Sequence, residues 1–142
     1  MRRILILCTG NSARSQMAEG LMRDALAGDA EVFSAGTKPS LVRPEAIGVM
    51  SELGIDLSGH RSKSVDEFAG QEFDYVITVC DNANEVCPVF PGRTKRLHWP
   101  FEDPAGVVGS EAERKAAFRK VRDQIRARIR DWVPMIDLTS IT

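Results

Sequence analysis

The stretch from Ile4 to Ser15 constrains the fold more than any other part of this chain. It reads Ile-Leu-Ile-Leu-Cys-Thr-Gly-Asn-Ser-Ala-Arg-Ser. Four consecutive aliphatic residues are typical of a strand buried on both faces, and the small polar residues after them indicate a tight loop. From Ser15 onward apolar residues recur at helical spacing, so the stretch predicts strand, loop and helix. Such a turn places backbone N–H groups and the positive end of a helix dipole beside Cys8, which favours a bound anion and a thiolate.

The loop that follows Cys8 has the composition of an oxyanion cradle around a cysteine nucleophile. Every residue in it keeps its backbone N–H, glycine tolerates unusual backbone angles, and asparagine tolerates the left-handed conformation. The planar guanidinium of Arg14 can hold two oxygens of a tetrahedral anion. We expect the Ser12 and Ser15 hydroxyls to donate to the Cys8 sulfur. The candidate cradle residues are Thr9, Gly10, Asn11, Ser12, Ala13, Arg14 and Ser15.

Strands and helices alternate along the rest of the chain. The further strands are predicted at 31–34, 75–79 and 95–99, and the helices at 15–27, 44–53, 65–69 and 110–133. Ile47, Met50 and Leu53 form the predicted buried face of the second helix. We expect residues 35–37 to form a turn. With no repeat or linker in the sequence, this pattern predicts a single α/β domain over 1–142 with a mostly parallel sheet.

Two more chemically active residues follow predicted strands. Cys80 comes directly after one strand, and Asp103 lies just past the last one. Because the carboxyl ends of parallel strands meet at one edge, we expect both residues to face the same cleft as Cys8. Nucleophilic displacement at phosphorus or a related centre needs an acid for the leaving oxygen, and Asp103 is the candidate. Cys8 and Arg14 are separated by five residues, and the same Cys-x5-Arg spacing recurs at 87–93. The second stretch has prolines at two positions, which remove N–H donors, so it does not predict a cradle.

Composition and charge limit the binding partners and the cellular location that we expect for this chain. The chain of 142 residues has a formal net charge of −1 and is 43% hydrophobic, which gives no argument for nucleic acid or membrane binding. The sequence has no recognisable signal peptide or membrane-spanning stretch, so a cytoplasmic location is expected. Three cysteines in such a chain do not predict a structural disulfide framework.

Cys80 and Cys87 have three interpretations. As zinc ligands they lack a companion pair and could recruit only His60 or His98, so no metal site is predicted. Burial in the hydrophobic core suits Cys80 better than Cys87, which lies among charged residues and prolines. In a redox relay, Cys8 forms an adduct with a reducible oxyanion, Cys80 attacks Cys8 and releases the product, and Cys87 then attacks Cys80.

The chain resembles the thioredoxin-coupled arsenate reductases, which are built on the low-molecular-weight tyrosine phosphatase fold. The resemblance rests on residues 8–20, on Ser34-Ala35-Gly36, on Val79-Cys80-Asp81 with Cys87-Pro88, and on His98-Trp99 with Asp103-Pro104-Ala105. It implies a four-stranded parallel sheet flanked by helices, with Cys8 as the nucleophile on arsenate and Arg14 and the loop amides as its cradle. It also implies Asp103 as general acid and a final Cys80–Cys87 disulfide that thioredoxin reduces. Phosphate and sulfate would bind as analogues. We expect no cofactor and a monomer.

The sequence departs from this family at two positions. Ala13 stands where relatives often carry another cysteine, and the relay should be little affected by its absence. Some relatives bind potassium through residues that match Asn11, Glu19 and Ser34, together with a carboxylate near position 63. Lys63 stands here instead, and because its ammonium would replace the ion, potassium binding is not predicted.

Two other functions compete with arsenate reduction. A low-molecular-weight protein tyrosine phosphatase normally has an aromatic pair after the Asp-Pro, whereas Ala105 and Gly106 leave little to grip a phenyl ring. Weak activity on small aryl phosphates is still expected, because the cradle does not strongly distinguish phosphate from arsenate. A non-catalytic thiol sensor would need neither Arg14 nor Asp103.

Overall fold

The structure is a computed structural model and describes residues 2–79 and 94–136. Within these residues, four strands form one sheet: β1 (Arg2–Cys8), β2 (Ala30–Gly36), β3 (Tyr75–Thr78) and β4 (Lys95–His98). Their order is β2-β1-β3-β4, and each neighbouring pair is parallel. The α-helices are α1 (Arg14–Leu26), α2 (Pro44–Ser51) and α3 (Glu111–Trp132), and short 3₁₀ helices cover Val65–Phe68, Pro104–Gly106 and Val133–Met135. The predicted α/β class with a four-stranded parallel sheet is confirmed.

The aliphatic run of β1 is buried on both faces of the sheet, as predicted. Ile4 and Ile6 belong to the larger core, which contains the apolar faces of α1 and α3. Leu5 and Leu7 belong to a smaller core on the opposite face, with Phe68 and other residues around the first 3₁₀ helix. This two-sided cover explains why four successive aliphatic residues stand in the central strand.

The two long helices begin and end close to the predicted positions. Helix α1 ends where Ala27 takes a left-handed conformation (φ 46°) and donates its N–H to the Arg23 carbonyl. At the start of α3 the Ser110 hydroxyl oxygen accepts the Glu113 N–H at 3.1 Å. The apolar residues on one side of α3 are buried: Phe118, Val121, Ile125, Ile129 and Trp132.

Two predicted elements need correction. Residues 35–36 are not a turn, because β2 continues to Gly36, which pairs with Cys8 in the sheet. In α2 the buried residues are Ala46, Val49 and Met50, whereas Ile47 and Leu53 are only partly buried and Leu53 lies beyond the helix. This helix is bonded to α3: buried Arg122 donates to the Val49 carbonyl and to the Glu52 carboxylate, both at 2.8 Å.

The carboxyl ends of the strands meet at one edge of the sheet. Cys8 ends β1, and Val79, the residue before Cys80, donates its N–H to the Leu7 carbonyl at 2.9 Å. Asp103 follows β4 within a short connection. In the described part of the chain, no helix is long and apolar enough to cross a bilayer.

Candidate active site

Cys8 lies at the bottom of the loop that joins β1 to α1, and only 3% of its surface is exposed. We call residues 8–15 the cradle loop. The Cys8 sulfur is 2.8 Å from the Ser15 hydroxyl oxygen, in the first turn of α1. The thiol is therefore held by a polar contact from the helix that follows it.

The peptide groups of the cradle loop are oriented by residues 37–43, which run alongside it. Their N–H groups donate to four loop carbonyls, in the pairs Thr37 to Cys8 (3.4 Å), Lys38 to Thr9 (2.9 Å), Ser40 to Gly10 (3.2 Å) and Arg43 to Ser12 (2.9 Å). In a trans peptide the C=O and the N–H point in opposite directions, and the described residues contain no cis bond. The N–H groups on these four planes therefore point away from residues 37–43: they are those of Thr9, Gly10, Asn11 and Ala13. This arrangement supports the predicted anion cradle.

Asn11 is the structural centre of the loop. Its backbone is left-handed (φ 46°), a conformation that asparagine tolerates better than most residues. Its side-chain Oδ1 accepts from the Lys63 N–H and from Gln16 Nε2, both at 2.9 Å. Its Nδ2 donates to the Ser15 hydroxyl at 2.8 Å and to the Ser34 hydroxyl at 2.9 Å. Every polar atom of this buried amide is thus engaged.

Asn11 determines which atom is the donor in the contact between Ser15 and Cys8. Because the Ser15 oxygen accepts a hydrogen from Asn11, its own hydrogen is available to the Cys8 sulfur at 2.8 Å. A hydroxyl that donates to sulfur stabilises the thiolate over the thiol. Ser15 therefore sits where the sequence predicted a donor to Cys8.

Arg14 and Asp103, far apart in the sequence, have neighbouring side chains in the structure. The Arg14 side chain is largely buried, and one guanidinium nitrogen donates to the Phe101 carbonyl at 3.1 Å. Another lies 3.7 Å from Asp103 Oδ2. Asp103 Oδ1 accepts the Ala105 N–H at 3.0 Å, and about half of the aspartate side chain is exposed. The carboxyl group is therefore fixed beside the arginine while it remains open to exchange protons with solvent.

A buried carboxylate, that of Glu19, lies behind the cradle loop among three basic side chains. Its Oε2 is 3.0 Å from His60 Nδ1 and 3.5 Å from Arg23, and its Oε1 is 3.9 Å from Lys63 Nζ. Burial raises the pKa of Glu19, but the His60 hydrogen bond and the charges of Arg23 and Lys63 outweigh it and lower the pKa below 4.5. Burial also lowers the pKa of Lys63, against the opposing pull of Glu19.

These residues do not fit a bound potassium ion. Glu19 Oε1 is buried and has no hydrogen-bond partner among the described residues, which by itself would suit a cation. The ammonium of Lys63 already faces this oxygen, however, and Arg23 faces the other one. An added cation would therefore lie between like charges, which supports the prediction that Lys63 takes the place of the ion.

The remaining candidates from the sequence are two cysteines and two histidines. Cys80 and Cys87 are outside the described residues, so their disulfide stays a prediction. The two histidines considered as zinc ligands have other partners: His60 contacts Glu19, and His98 Nδ1 is 2.6 Å from the Thr78 hydroxyl. Across residues 2–79 and 94–136 no group of three or more His, Cys, Asp or Glu side chains is arranged to hold a metal ion.

Sequence reasoning missed the residues that support the cradle loop from behind. Gln16 contacts Asn11, and the Ser62 hydroxyl donates to the Gly10 carbonyl at 2.8 Å. One signal was present in the sequence: Gln16, Glu19 and Arg23 share one face of α1 by their spacing. Gln16 and Glu19 are nevertheless buried, which indicates a polar network rather than a solvated face.

The fold and the site together define a class of protein: a parallel α/β fold in which a cysteine at the end of the central strand lies in a cradle of backbone N–H groups. The family described as "Low molecular weight phosphotyrosine protein phosphatase" matches residues 3–140. The chain belongs to the low molecular weight phosphotyrosine protein phosphatase family.

Within this family the chain is similar to proteins that carry the name arsenate reductase. An arsenate reductase of Halalkalibacterium halodurans is 46% identical over 129 residues, which cover 91% of this chain and 93% of the relative. A solved structure described as an arsenate reductase in the phosphate binding state has a TM-score of 0.79 and 34% identity, and covers 96% of this chain and 100% of its own. The thioredoxin-dependent arsenate reductase of Corynebacterium glutamicum has a TM-score of 0.75 and 27% identity over 99% of this chain and 64% of its own. The resemblance inferred from the sequence is confirmed.

Proposed function

We propose that this protein is an arsenate reductase that converts arsenate to arsenite with electrons from thioredoxin. The observation that carries the proposal is the cradle loop itself: it begins at Cys8, its Arg14 guanidinium lies 3.7 Å from Asp103, and four of its N–H groups point away from residues 37–43. Such a site combines a nucleophile, an anion cradle and an acid. The names of the relatives supply the choice of arsenate and of thioredoxin.

The first proposed step is nucleophilic attack on the bound oxyanion. The loop N–H groups and the Arg14 guanidinium hold the oxygens of arsenate. A similar structure is described as an arsenate reductase in the phosphate binding state, which supports the binding of a tetrahedral oxyanion. The Cys8 thiolate, stabilised by Ser15, forms a bond to arsenic, and one arsenic–oxygen bond breaks. Asp103 donates the proton with which that oxygen leaves as water. Its exposure allows it to be protonated again from solvent.

The second proposed step is the reduction itself, and it uses Cys80 and Cys87. The Cys80 thiolate attacks the Cys8 sulfur, so a disulfide forms, the sulfur–arsenic bond breaks, and its electron pair leaves with arsenic as arsenite. Cys87 then attacks Cys80, which frees Cys8 and leaves a Cys80–Cys87 disulfide. The thioredoxin dithiol takes over that disulfide and supplies the two electrons. Val79, directly before Cys80, is bonded to Leu7, directly before Cys8, which supports attack between these two cysteines.

The proposed chemistry leads to further proposals on the cellular location, the oligomeric state and a side activity of the protein. The relay needs reduced thiols at the start of each cycle, which fits the cytoplasm that we propose as its location. It needs no cofactor and no second copy of the chain, so we propose a monomer. A cradle for tetrahedral anions also supports weak hydrolysis of small aryl phosphates, limited by the small Ala105 and exposed Gly106 beside Asp103.

The test is consumption of NADPH in the presence of thioredoxin, thioredoxin reductase and arsenate. We expect turnover by the native protein and none by Cys8→Ser. Cys87→Ser should lose multiple turnover and retain hydrolysis of para-nitrophenyl phosphate, because hydrolysis needs only the cradle. Loss of both activities in Cys87→Ser would contradict the relay. No arsenate-dependent NADPH consumption by the native protein would favour the phosphatase or the thiol sensor.

A further inference from the structure

We propose that Gln16 is a positioning residue that holds Asn11 and thereby directs the Ser15 hydroxyl at the Cys8 sulfur. The proposal rests on the nucleophilic role of Cys8 in the proposed function and adds to it. Gln16 is the third residue of α1, and its side chain is fully buried behind the cradle loop. A buried primary amide is costly unless its donors and acceptor are all bonded, so its partners carry information.

The orientation of the Gln16 amide follows from its surroundings. Its nitrogen lies near three oxygens: Asn11 Oδ1 at 2.9 Å, the Asn11 carbonyl at 3.2 Å and the Arg61 carbonyl at 3.0 Å. None of these oxygens can donate, so the NH₂ end must face them. The Gln16 Oε1 then faces His60 Nδ1 at 3.0 Å, which must carry the hydrogen. The same His60 nitrogen is 3.0 Å from the Glu19 carboxylate, which also requires a donor there.

The Gln16 nitrogen bonds to both the main chain and the side chain of Asn11. A left-handed backbone is disfavoured for any residue with a Cβ and persists where surrounding contacts hold it. By bonding to both oxygens of Asn11, Gln16 holds the backbone turn and the side-chain amide together. The helix that follows the cradle loop therefore fixes the conformation of the loop itself.

The orientation of the Asn11 amide then decides which hydrogen bonds Ser15 can make. With its oxygen facing Gln16, Asn11 presents its NH₂ group to the Ser15 oxygen, and Ser15 is left to donate to Cys8. Among residues 2–79 and 94–136, the Lys63 N–H is the one donor that would still hold the Asn11 side-chain oxygen in this orientation without Gln16. A flipped Asn11 amide would accept the Ser15 hydrogen and withdraw it from the sulfur. Gln16 is thus predicted to control how readily Cys8 becomes a thiolate.

Alkylation of Cys8 by iodoacetamide measures this effect without arsenate. In a protein with Cys80→Ser and Cys87→Ser, Cys8 is the only thiol, and its alkylation rate is followed from pH 5 to 9. Gln16→Met should slow alkylation about tenfold at low pH, as expected for loss of about one donor to a thiolate, and leave the high-pH plateau unchanged. Gln16→Glu should slow it further, because a carboxylate would oppose the Asn11 oxygens.

Two controls distinguish a positioning role of Gln16 from a general contribution to stability. Arg122→Met also removes a buried polar group, but from the α2–α3 contact, and should lower the melting temperature without changing the pH profile of alkylation. In a Ser15→Ala background, Gln16→Met should have no further effect on that profile, because Gln16 acts through Ser15. A further tenfold loss in this background would overturn the proposal.

An unchanged pH profile in Gln16→Met would also overturn the proposal, even if the melting temperature falls. Should Gln16→Met not fold, His60→Ala removes the donor to Gln16 Oε1 from a less buried site. It should shift the profile in the same direction by a smaller factor, and no shift would count against the role of Gln16. If alkylation behaves as expected but arsenate is not reduced, the proposed function fails while the positioning role stands.

Discussion

Gly36→Ala should disrupt the cradle although the substituted residue lies outside it. A Cβ at this position would be 2.4 Å from the Thr9 carbonyl oxygen and 2.9 Å from the Asn11 nitrogen, both main-chain atoms of the cradle loop. Real Cβ contacts essentially never fall below 3.0 Å, so the two segments must separate by at least about 0.6 Å. Strand β2 cannot simply move away, because Gly36 pairs with Cys8 and donates its N–H to the Lys63 carbonyl at 2.8 Å.

The expected size of the effect follows from that displacement. Crowding of this kind costs about 1–3 kcal/mol, which should lower the melting temperature by roughly 4–12 °C. A displacement approaching 1 Å at a reacting group can cost about 10²-fold in rate, so we expect kcat/KM for arsenate to fall by about 30- to 100-fold. The assay is thioredoxin-coupled NADPH oxidation together with a thermal melt.

Gly59→Ala is the matched control. A Cβ there would meet no atom within 4 Å, so activity and melting temperature should match those of the native protein. If Gly36→Ala keeps kcat/KM within twofold of the native value, the close approach of β2 to the cradle loop does not set the geometry of the site.

Three further predictions follow from charges. The hydrogen bond from Arg119, assisted by Arg122, lowers the pKa of Glu52 from 4.5 to about 2, so its stabilising effect is present above pH 4.5 and is lost as the pH falls towards 2. Glu52→Gln should therefore melt below the native protein at pH 7 and with it near pH 2; an equal difference at both pH values would contradict this. Replacing sodium by potassium should leave the melting temperature unchanged because Lys63 faces Glu19, and a potassium-specific rise would refute it. Asp103→Asn should lower kcat for arsenate by about 10²-fold or more, while phosphate should still inhibit the residual arsenate reduction because the cradle is intact. An unchanged kcat would exclude Asp103 as the acid.

The sequence predicts elements whose signal is local. The aliphatic run of β1, the start of α3 near residue 110 and the alternation of strands with helices each depend on residues close together in the chain, and each is present in the structure. The loop after Cys8 could be recognised for the same reason, since glycine, asparagine and arginine follow one another there. Local composition also sufficed to place Asp103 past a strand end.

The features that the sequence did not predict depend on contacts between distant segments. Helix α2 packs against α3, whose Arg122 is about 70 residues away and donates to Glu52, and the apolar spacing within α2 does not reveal that contact. The polar residues near Ser62 have no periodic pattern that would indicate a role, yet Ser62 and Lys63 bond to the cradle loop. Gly36 was assigned to a turn because glycine is common in turns, whereas here it permits close packing of two main-chain segments.

The stoichiometry of a single reductive event tests arsenate reduction by this protein directly. The fully reduced protein has three thiols, and arsenate is added to it without thioredoxin. The two-electron reduction predicts one arsenite released per chain, while the thiols that react with Ellman's reagent in denaturant fall from three to one. Release of no arsenite, with all three thiols still free, would contradict the central claim that this oxyanion cradle serves a reductase.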